Sequence, residues 1–191
     1  MKKSLGAKTI AFPVPAWAIG TYDADGKPNV MTAAWAGICC SRPPCMTVSL
    51  RAATSSHGNL VARKAFAISI PSEDQVREID YIGVVSGRDH DKFADLGLTP
   101  AKADHVDAPY IEEFPVIIEC KLVQTVDLLG GELFIGEIVA AYSDGRYLTD
   151  GLPDMAKIDP LLLSVPQMAY LGLGSHVGRA FQMGKSRIKK S

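Results

Sequence analysis

The sequence has no long apolar run and almost no net charge. Over 191 residues it balances 20 Lys and Arg against 21 Asp and Glu, for a formal net charge of -1. It therefore lacks the overall basic field that nucleic-acid binding favours. No segment reaches the roughly 18 apolar residues of a membrane span, and the N-terminus has no contiguous apolar signal core. We expect a cytoplasmic protein with no nucleic-acid partner and no membrane association.

Basic residues cluster only near the two ends of the chain. These residues are Lys2 and Lys3 at one end, and Lys185, Arg187, Lys189 and Lys190 at the other. Charge runs at chain termini are usually solvated. We therefore predict exposed tails and not docking segments.

Cysteine is scarce and is not spaced for a metal cluster. The four cysteines are Cys39, Cys40, Cys45 and Cys120. They form no paired C-x-x-C array, and the adjacent pair suits neither zinc nor iron–sulfur coordination. We predict buried free thiols, with a redox-active pair among the first three cysteines as the alternative, although nothing nearby signals a resolving partner.

Long amphipathic helices are absent too, and this disfavours a doubly wound parallel sheet. Short apolar runs in hairpin order are present instead. The predicted strands are Ala16–Asp23, Lys27–Ile38, Met46–Leu50, Ala65–Ile70, Phe114–Val126, Glu132–Tyr142 and a last one near Met168–Leu173. They indicate a mainly β protein with an antiparallel sheet closed into a barrel, and the length suits a single domain over residues 1–191.

Only two or three brief helices are indicated, each by capping residues. Their predicted spans are about His57–Lys64, Ser72 to Gly83 with Gln75 at the capping-box position, and Asp89 to Gly97, the last carrying Lys92. The Thr99–Glu113 segment has two prolines and little periodicity. We predict a loop there.

The stretch from Gly26 to Leu60 carries the strongest signal of a binding site. Side chains alternate along its first strand, with Asn29, Met31, Ala33 and Trp35 on one side and Val30, Thr32 and Ala34 on the other. Most are small, so a planar ligand could lie close to the backbone. After the second strand come a guanidinium, hydroxyls and a helix start, all of which favour a phosphate: Arg51, Thr54, Ser55 and Ser56.

Three other motifs are weaker candidates. Gly172–Gly178 resembles a dinucleotide-binding loop, but too few residues follow for the helix, strand and acidic residue that such a loop needs, so we predict a strand end and turn. The adjacent residues Asp89–Asp91 point in different directions on a short helix, which favours exposed polar side chains over metal ligands. Ser56 and His57 are neighbours without the geometry of a nucleophile and its base.

The order of several segments resembles the flavin reductase-like, FMN-binding split-barrel family. The segments are PNVMTAAWAGICCSRPPCMTVSLRAATSS, AFAISIPSE, SGRDHDKF followed by GL, FPVIIECKL and LFIGEIVAAY. No single segment is highly specific, but their order and spacing together are. The resemblance implies a Greek-key split β-barrel with a few short helices, which dimerises and binds FMN near the subunit interface.

The resemblance also assigns roles to individual residues. It places Asn29 and Met31–Trp35 on the isoalloxazine and ribityl platform, Arg51, Thr54 and Ser56 in the phosphate-binding turn, and Lys92 close to the flavin. Two departures concern the cover of the exposed flavin face: Glu132 stands where relatives often have histidine, and the loop around Leu163 and Ser164 lacks an aromatic residue. The expected cofactor-binding set is Asn29, Met31, Thr32, Ala33, Ala34, Trp35, Arg51, Thr54, Ser55, Ser56 and Lys92, with no metal ligand and no catalytic side chain.

The function that this resemblance implies is electron or hydride transfer through FMN. We expect a homodimeric flavoprotein that accepts electrons from NAD(P)H or a redox protein and passes them to a protein partner or to free flavin. The alternatives are an NAD(P)H:flavin oxidoreductase that supplies a monooxygenase, and a flavin-binding module without turnover.

Overall fold

The computed structural model describes residues 1–185, so Arg187, Lys189 and Lys190 of the predicted basic tail lie outside the described residues. Its strands are β1 Val14–Pro15, β2 Trp17–Tyr22, β3 Pro28–Ala33, β4 Ala36–Ser41, β5 Pro44–Leu50, β6 Ala65–Ile70, β7 Pro100–Lys102, β8 Pro109–Ile111, β9 Val116–Leu128, β10 Gly131–Ser143, β11 Leu148–Thr149, β12 Leu152–Pro153, β13 Leu162–Ser164 and β14 Ala169–Leu171. Its α-helices are α1 Ser55–Arg63, α2 Val76–Val84, α3 Lys92–Leu96 and α4 Met155–Ile158. Within this range no helix is long and apolar enough to cross a membrane.

The main sheet has seven antiparallel strands in the order β3-β2-β6-β9-β10-β5-β4. Its two edge strands, β3 and β4, are joined through only Ala34 and Trp35. A two-residue connection spans only about 7–10 Å, so the sheet must curl until its edges approach each other. The predicted mainly β class with a few short helices is confirmed. The sheet is not fully closed, because β3 and β4 are not paired with each other, and this agrees with the split β-barrel that the resemblance implies.

The core fills the inside of the curled sheet. Buried side chains from β2, β3, β5, β6 and β10 pack there into one cluster, which includes Ile19, Ala33, Met46, Val48, Phe66, Ile68 and Phe134. A second cluster joins the sheet to α2 and α3 through Val30, Ile79, Ile82 and Phe93. The second cluster therefore anchors the helices that border the site.

The element predictions agree with the structure in the long strands and differ at several boundaries. The predicted strand Lys27–Ile38 is interrupted after Ala33, and α2 continues through Gly83 to Val84. The α1 helix begins at Ser55, two residues before the predicted start. The N-cap of α3 is Asp91 and not Asp89, because the Asp91 side chain accepts a hydrogen bond from the Ala94 N–H at 3.2 Å.

The predicted loop Thr99–Glu113 contains a small hairpin of β7 and β8. Glu119, which is fully buried on β9, fastens this segment by accepting hydrogen bonds from the N–H groups of Asp104 and His105 at 3.0 and 2.8 Å. A long-range contact of this kind has no local sequence signal, so the loop prediction missed the hairpin.

The prediction of buried thiols is right for Cys45 and Cys120 and wrong for Cys39 and Cys40. Cys39 and Cys40 lie near the end of the edge strand β4, where the hairpin tip extends beyond the core. The exposed side chains of Ser41, Arg42, Pro43 and Pro44 continue the same tip.

Candidate flavin-binding site

A cleft of about 270 Å³ opens between β3, the turn before α1 and the segment after α2. Three parts of the chain that are distant in sequence meet there. The lining residues are Met31, Thr32, Arg51, Ala53, Thr54, Ser55, Lys92 and the continuous run from Ile82 to Gly87.

One end of the cleft is the N-terminus of α1. Thr54 is the N-cap residue, but its hydroxyl donates to the carbonyl of Arg51 at 2.9 Å and does not cap the helix. The first turn contains no acidic residue, and the Ser55 hydroxyl is buried without a hydrogen-bond partner among residues 1–185. A helix start with uncapped N–H groups and an unsatisfied hydroxyl attracts an anion.

Arg51 lies directly before this helix start. Its side chain is exposed, and it forms no ion pair within the part of the chain that the structure describes. Arg51 lines both the main cleft and an adjoining hollow that holds Trp35 and Gly131. The guanidinium therefore adds positive charge where the two cavities meet.

Lys92 brings a second positive charge, from inside the protein. Only 5% of the residue is exposed, and its ammonium group donates to the carbonyls of Val30 and Ile82, each at 2.8 Å. Burial lowers the pKa of Lys92 from 10.5 to about 8. An ammonium group has three donors, so one is left after these two bonds.

Asp91, the neighbour of Lys92 in the chain, pairs with Lys27 and not with Lys92. Its carboxylate accepts a hydrogen bond from the Ala94 N–H and lies 3.1 Å from the ammonium of Lys27, and both contacts lower the pKa of Asp91. Lys92 consequently has no carboxylate partner within residues 1–185, and its charge at the base of the cleft meets only the two carbonyl oxygens.

The structure brings most of the predicted site residues together. Six of them line the cleft: Met31, Thr32, Arg51, Thr54, Ser55 and Lys92. The Asn29 amide lies beside it and donates to the buried Ser56 hydroxyl at 3.0 Å, which ties β3 to α1. Asn29 and Ser55 also line a second hollow next to the cleft.

Three predicted residues lie elsewhere. The side chain of Ala33 is buried in the core, and Ala34 lies half-buried in the link between the edge strands. Trp35 is 53% exposed and lines the adjoining hollow. Trp35 would contact a ligand of the main cleft only if that ligand also extended past Arg51 into the adjoining hollow.

The run from Ile82 to Gly87 lines the cleft but was not predicted from the sequence to do so. It reaches the cleft because α2 packs on β3, where the Thr32 hydroxyl donates to the Ile79 carbonyl at 2.6 Å. A Cβ atom on Gly87 would lie 2.1 Å from Oδ1 of Asn29, so the close approach requires glycine. The exposed apolar Val84 and the closely following Gly87 are the only local signals of this role.

His57 and Glu132 form a pair that the sequence did not indicate. Their Nε2 and Oε2 atoms are 3.0 Å apart, and the His57 ring packs edge-on against Phe134. Ser56, the neighbour of His57 in the chain, accepts its hydrogen bond from the Asn29 amide and not from the His57 ring.

The Asp89–Asp91 segment does not form a metal site. His90 contacts Asp95 at 3.2 Å, and residues 1–185 contain no group of three potential ligands that could hold a metal ion.

Comparison with known proteins agrees with this fold. Residues 9–163 match the family model described as a flavin reductase like domain, and the chain belongs to this family.

Among solved structures, the chain is similar to flavoredoxin of Desulfovibrio vulgaris (Miyazaki F), with 50% identity and a TM-score of 0.93 over 97% of this chain and 100% of that one. Flavoredoxin from Methanosarcina acetivorans is 30% identical, with a TM-score of 0.89 over 98% and 100% of the two chains. A putative flavin reductase with a split barrel domain from Shewanella frigidimarina NCIMB 400 is 27% identical, with a TM-score of 0.77 over 87% and 84%.

Proposed function

We propose that this protein is an FMN-binding flavoprotein that accepts electrons and passes them to a protein partner or to free flavin. The observation that carries the proposal is the α1 end of the cleft, where the Ser55 hydroxyl and the Arg51 guanidinium, both without a polar side-chain partner in the described part of the chain, lie beside a helix start. The family membership and the likeness to two flavoredoxins support a flavin as the ligand.

The residues present fit a phosphorylated flavin in two respects. The phosphate has a place at the start of α1, where, among the described residues 1–185, the buried Ser55 hydroxyl lacks a hydrogen-bond partner and Arg51 pairs with no carboxylate. The remainder of the cleft is lined by Met31, Ile82, Val84 and backbone, which suit a flat aromatic ring. We assign Arg51, Thr54 and Ser55 to the phosphate, and Met31, Thr32 and Lys92 to the ring side.

Bound FMN would supply the electron or hydride chemistry. The protein's part is to orient the cofactor, limit the access of water and place charge beside it. Lys92 remains mostly protonated at pH 7, because its pKa of about 8 lies above that pH. Its positive charge, held by two carbonyls, favours negative charge in the cleft.

The second candidate function is an NAD(P)H:flavin oxidoreductase, and the likeness to the putative flavin reductase favours it. The two functions differ in their consumption of pyridine nucleotide. Steady oxidation of NADH or NADPH with excess free flavin would indicate the reductase. Rapid reduction by a reduced ferredoxin with slow nucleotide oxidation would indicate the electron carrier, and neither reaction would indicate a binding module without turnover.

We predict that the purified protein is yellow and that acid releases FMN and not FAD. The reason is that Arg51, Thr54 and Ser55 enclose a space suited to a terminal phosphate. Chromatography of the released flavin against both standards makes the measurement. A colourless protein that takes up no added FMN would refute the proposed function.

We further propose that the protein is a two-fold homodimer. β9 and β10 expose apolar side chains on the outside of the sheet, among them Val123, Val139 and Tyr142. Such surface is more than an isolated small barrel needs to expose, and a second copy would cover it. Light scattering at micromolar concentration with flavin bound is expected to give twice the chain mass of 20.5 kDa, and the mass of one chain would overturn the assignment.

Three broader predictions stay as the sequence made them. Residues 1–191 form one domain, the protein acts in the cytoplasm, and its partners do not include nucleic acid or membrane. The near-zero net charge supports the exclusion of nucleic acid.

A further inference from the structure

The tip of the β4–β5 hairpin carries three of the four cysteines. Cys39 and Cys40 are exposed near the end of β4, and Cys45 is buried near the start of β5. None of them lines the flavin cleft. The cluster therefore needs an explanation apart from the proposed function.

Cys40 and Cys45 are direct partners in the antiparallel pair of β4 and β5. Opposite residues in such a pair have Cα atoms about 4.5–5.5 Å apart, whichever of the two pair types they form. A disulfide requires Cα atoms roughly 4.4–6.8 Å apart. The two cysteines can consequently be joined without moving either strand.

We propose that Cys40 and Cys45 form a reversible dithiol–disulfide site, oxidised by a low-molecular-weight disulfide such as glutathione disulfide. The exposed Cys40 gives the reagent access, and Cys45 is the resolving thiol. In a reducing compartment such a site is transient, which suits a redox sensor and not a structural bridge.

The reaction takes place in two exchanges. The Cys40 thiolate attacks one sulfur of the small disulfide, forms a mixed disulfide and displaces one small thiolate, which takes up a proton. The Cys45 thiolate then attacks the Cys40 sulfur, forms the protein disulfide and displaces the second small thiolate, which is also protonated. Two protein thiols are oxidised, one small disulfide is reduced, and the two protein protons end on the two released thiols.

The environment of the thiols determines this order. Burial raises the pKa of Cys45, and the neighbouring Cys40, Cys39 and Glu137 raise it further, so Cys45 is a poor first nucleophile. The Cys40 and Cys45 thiols donate to the carbonyls of Arg42 and Pro43 at 3.5 and 3.4 Å, so both sulfur atoms lie at the tip of the hairpin. Cys40 reacts first because it is the exposed member of the pair.

The other two cysteines are less suited to the reaction. Cys39 lies at the register irregularity between Ile38 and Cys40, where no residue of β5 is its direct partner. Cys120 is fully buried, and burial raises its pKa to about 12. Cys120 therefore serves as an internal reference that stays reduced.

The test treats the flavin-loaded full chain with glutathione disulfide and locates the lost thiols by mass spectrometry. Trypsin does not cleave before Pro28 or Pro43, so Cys39, Cys40 and Cys45 share the peptide of residues 9–51, and Cys120 is in another. We expect the peptide of residues 9–51 to lose two hydrogen atoms and the protein to lose two of its four thiols, both recovered on adding excess glutathione.

Single variants identify the pair. Cys39→Ser should behave as the wild type, Cys40→Ser should form no disulfide, and Cys45→Ser should stop at a glutathione adduct on Cys40. Because Cys40 is exposed, we expect Cys40→Ser to fold like the wild type. The absorbance of bound flavin verifies that each variant is folded. Retention of all four thiols by the wild type, or disulfide formation in Cys40→Ser, would overturn the proposal.

Discussion

Replacing Arg51 with alanine is expected to weaken FMN binding by about ten- to a hundred-fold and to leave riboflavin binding nearly unchanged. A charge-assisted hydrogen bond from a guanidinium to a phosphate contributes roughly 1.5–3 kcal/mol. Riboflavin has no phosphate, so it loses nothing when the guanidinium is removed. Titration of the apoprotein by quenching of flavin fluorescence measures both affinities.

The matched control is Arg77→Ala, which removes an exposed arginine of α2 that does not line the cleft. It should leave both affinities unchanged. Ser55→Ala provides a second, weaker test, because it removes a neutral hydroxyl, which contributes only about 0.5–1.5 kcal/mol. Equal losses for FMN and riboflavin in Arg51→Ala would show that the phosphate binds elsewhere.

The phosphate end of the site could be predicted because its parts are consecutive in the chain. Arg51, Thr54 and Ser55 lie within five residues of one another, between a clear strand and a helix start. Their proximity follows from chain connectivity and needs no tertiary information. That the Ser55 hydroxyl is buried without a partner among the described residues could not be predicted in this way, because its burial depends on what packs around the turn.

The opposite wall of the cleft could not be predicted in the same way. Residues 82–87 approach Asn29 and Thr32 only because α2 packs against β3. The contact joins segments about 50 positions apart, and no period or motif in either segment specifies the other. The resemblance to a family indicated Lys92, yet its burial was unexpected, because lysine is almost never fully buried without a partner.

The same distinction applies to the fold. The long strands β9 and β10 were predictable from their local apolar pattern, which indicates strands irrespective of their neighbours. The interruption at Ala34 and Trp35 was not, because small and apolar residues continue the alternation through it. Only the curling of the whole sheet requires the chain to leave one edge strand there and enter the other.

The buried Lys92 leads to a prediction about pH and stability. Its pKa is about 8 in the folded protein and 10.5 ordinarily, so the unfolded chain binds the proton more tightly. Burying the charged form destabilises the fold below about pH 8, and this penalty disappears as the pH rises to about 10.5. The shift of about 2.5 pKa units corresponds to about 3 kcal/mol.

We therefore expect the free energy of unfolding of the apoprotein to rise by about 3 kcal/mol relative to that of Lys92→Met between about pH 7 and pH 10.5. The Met side chain cannot titrate. The variant also lacks the hydrogen bonds from Lys92 to the Val30 and Ile82 carbonyls, and this loss lowers its free energy of unfolding by an amount that does not depend on pH. Urea unfolding at several pH values measures the difference.

The control for this experiment is Lys102→Met, which removes an exposed lysine from β7. Its difference from the wild type should stay constant over the same pH range, because a solvated ammonium group is not penalised by folding. Lys92→Gln adds a second uncharged side chain that can still donate to a carbonyl. It should start closer to the wild type than Lys92→Met and show the same dependence on pH. A pH-independent difference between the wild type and both Lys92 variants would mean that solvent reaches the Lys92 ammonium in the apoprotein, and the cleft would then hold no desolvated charge for the flavin to meet.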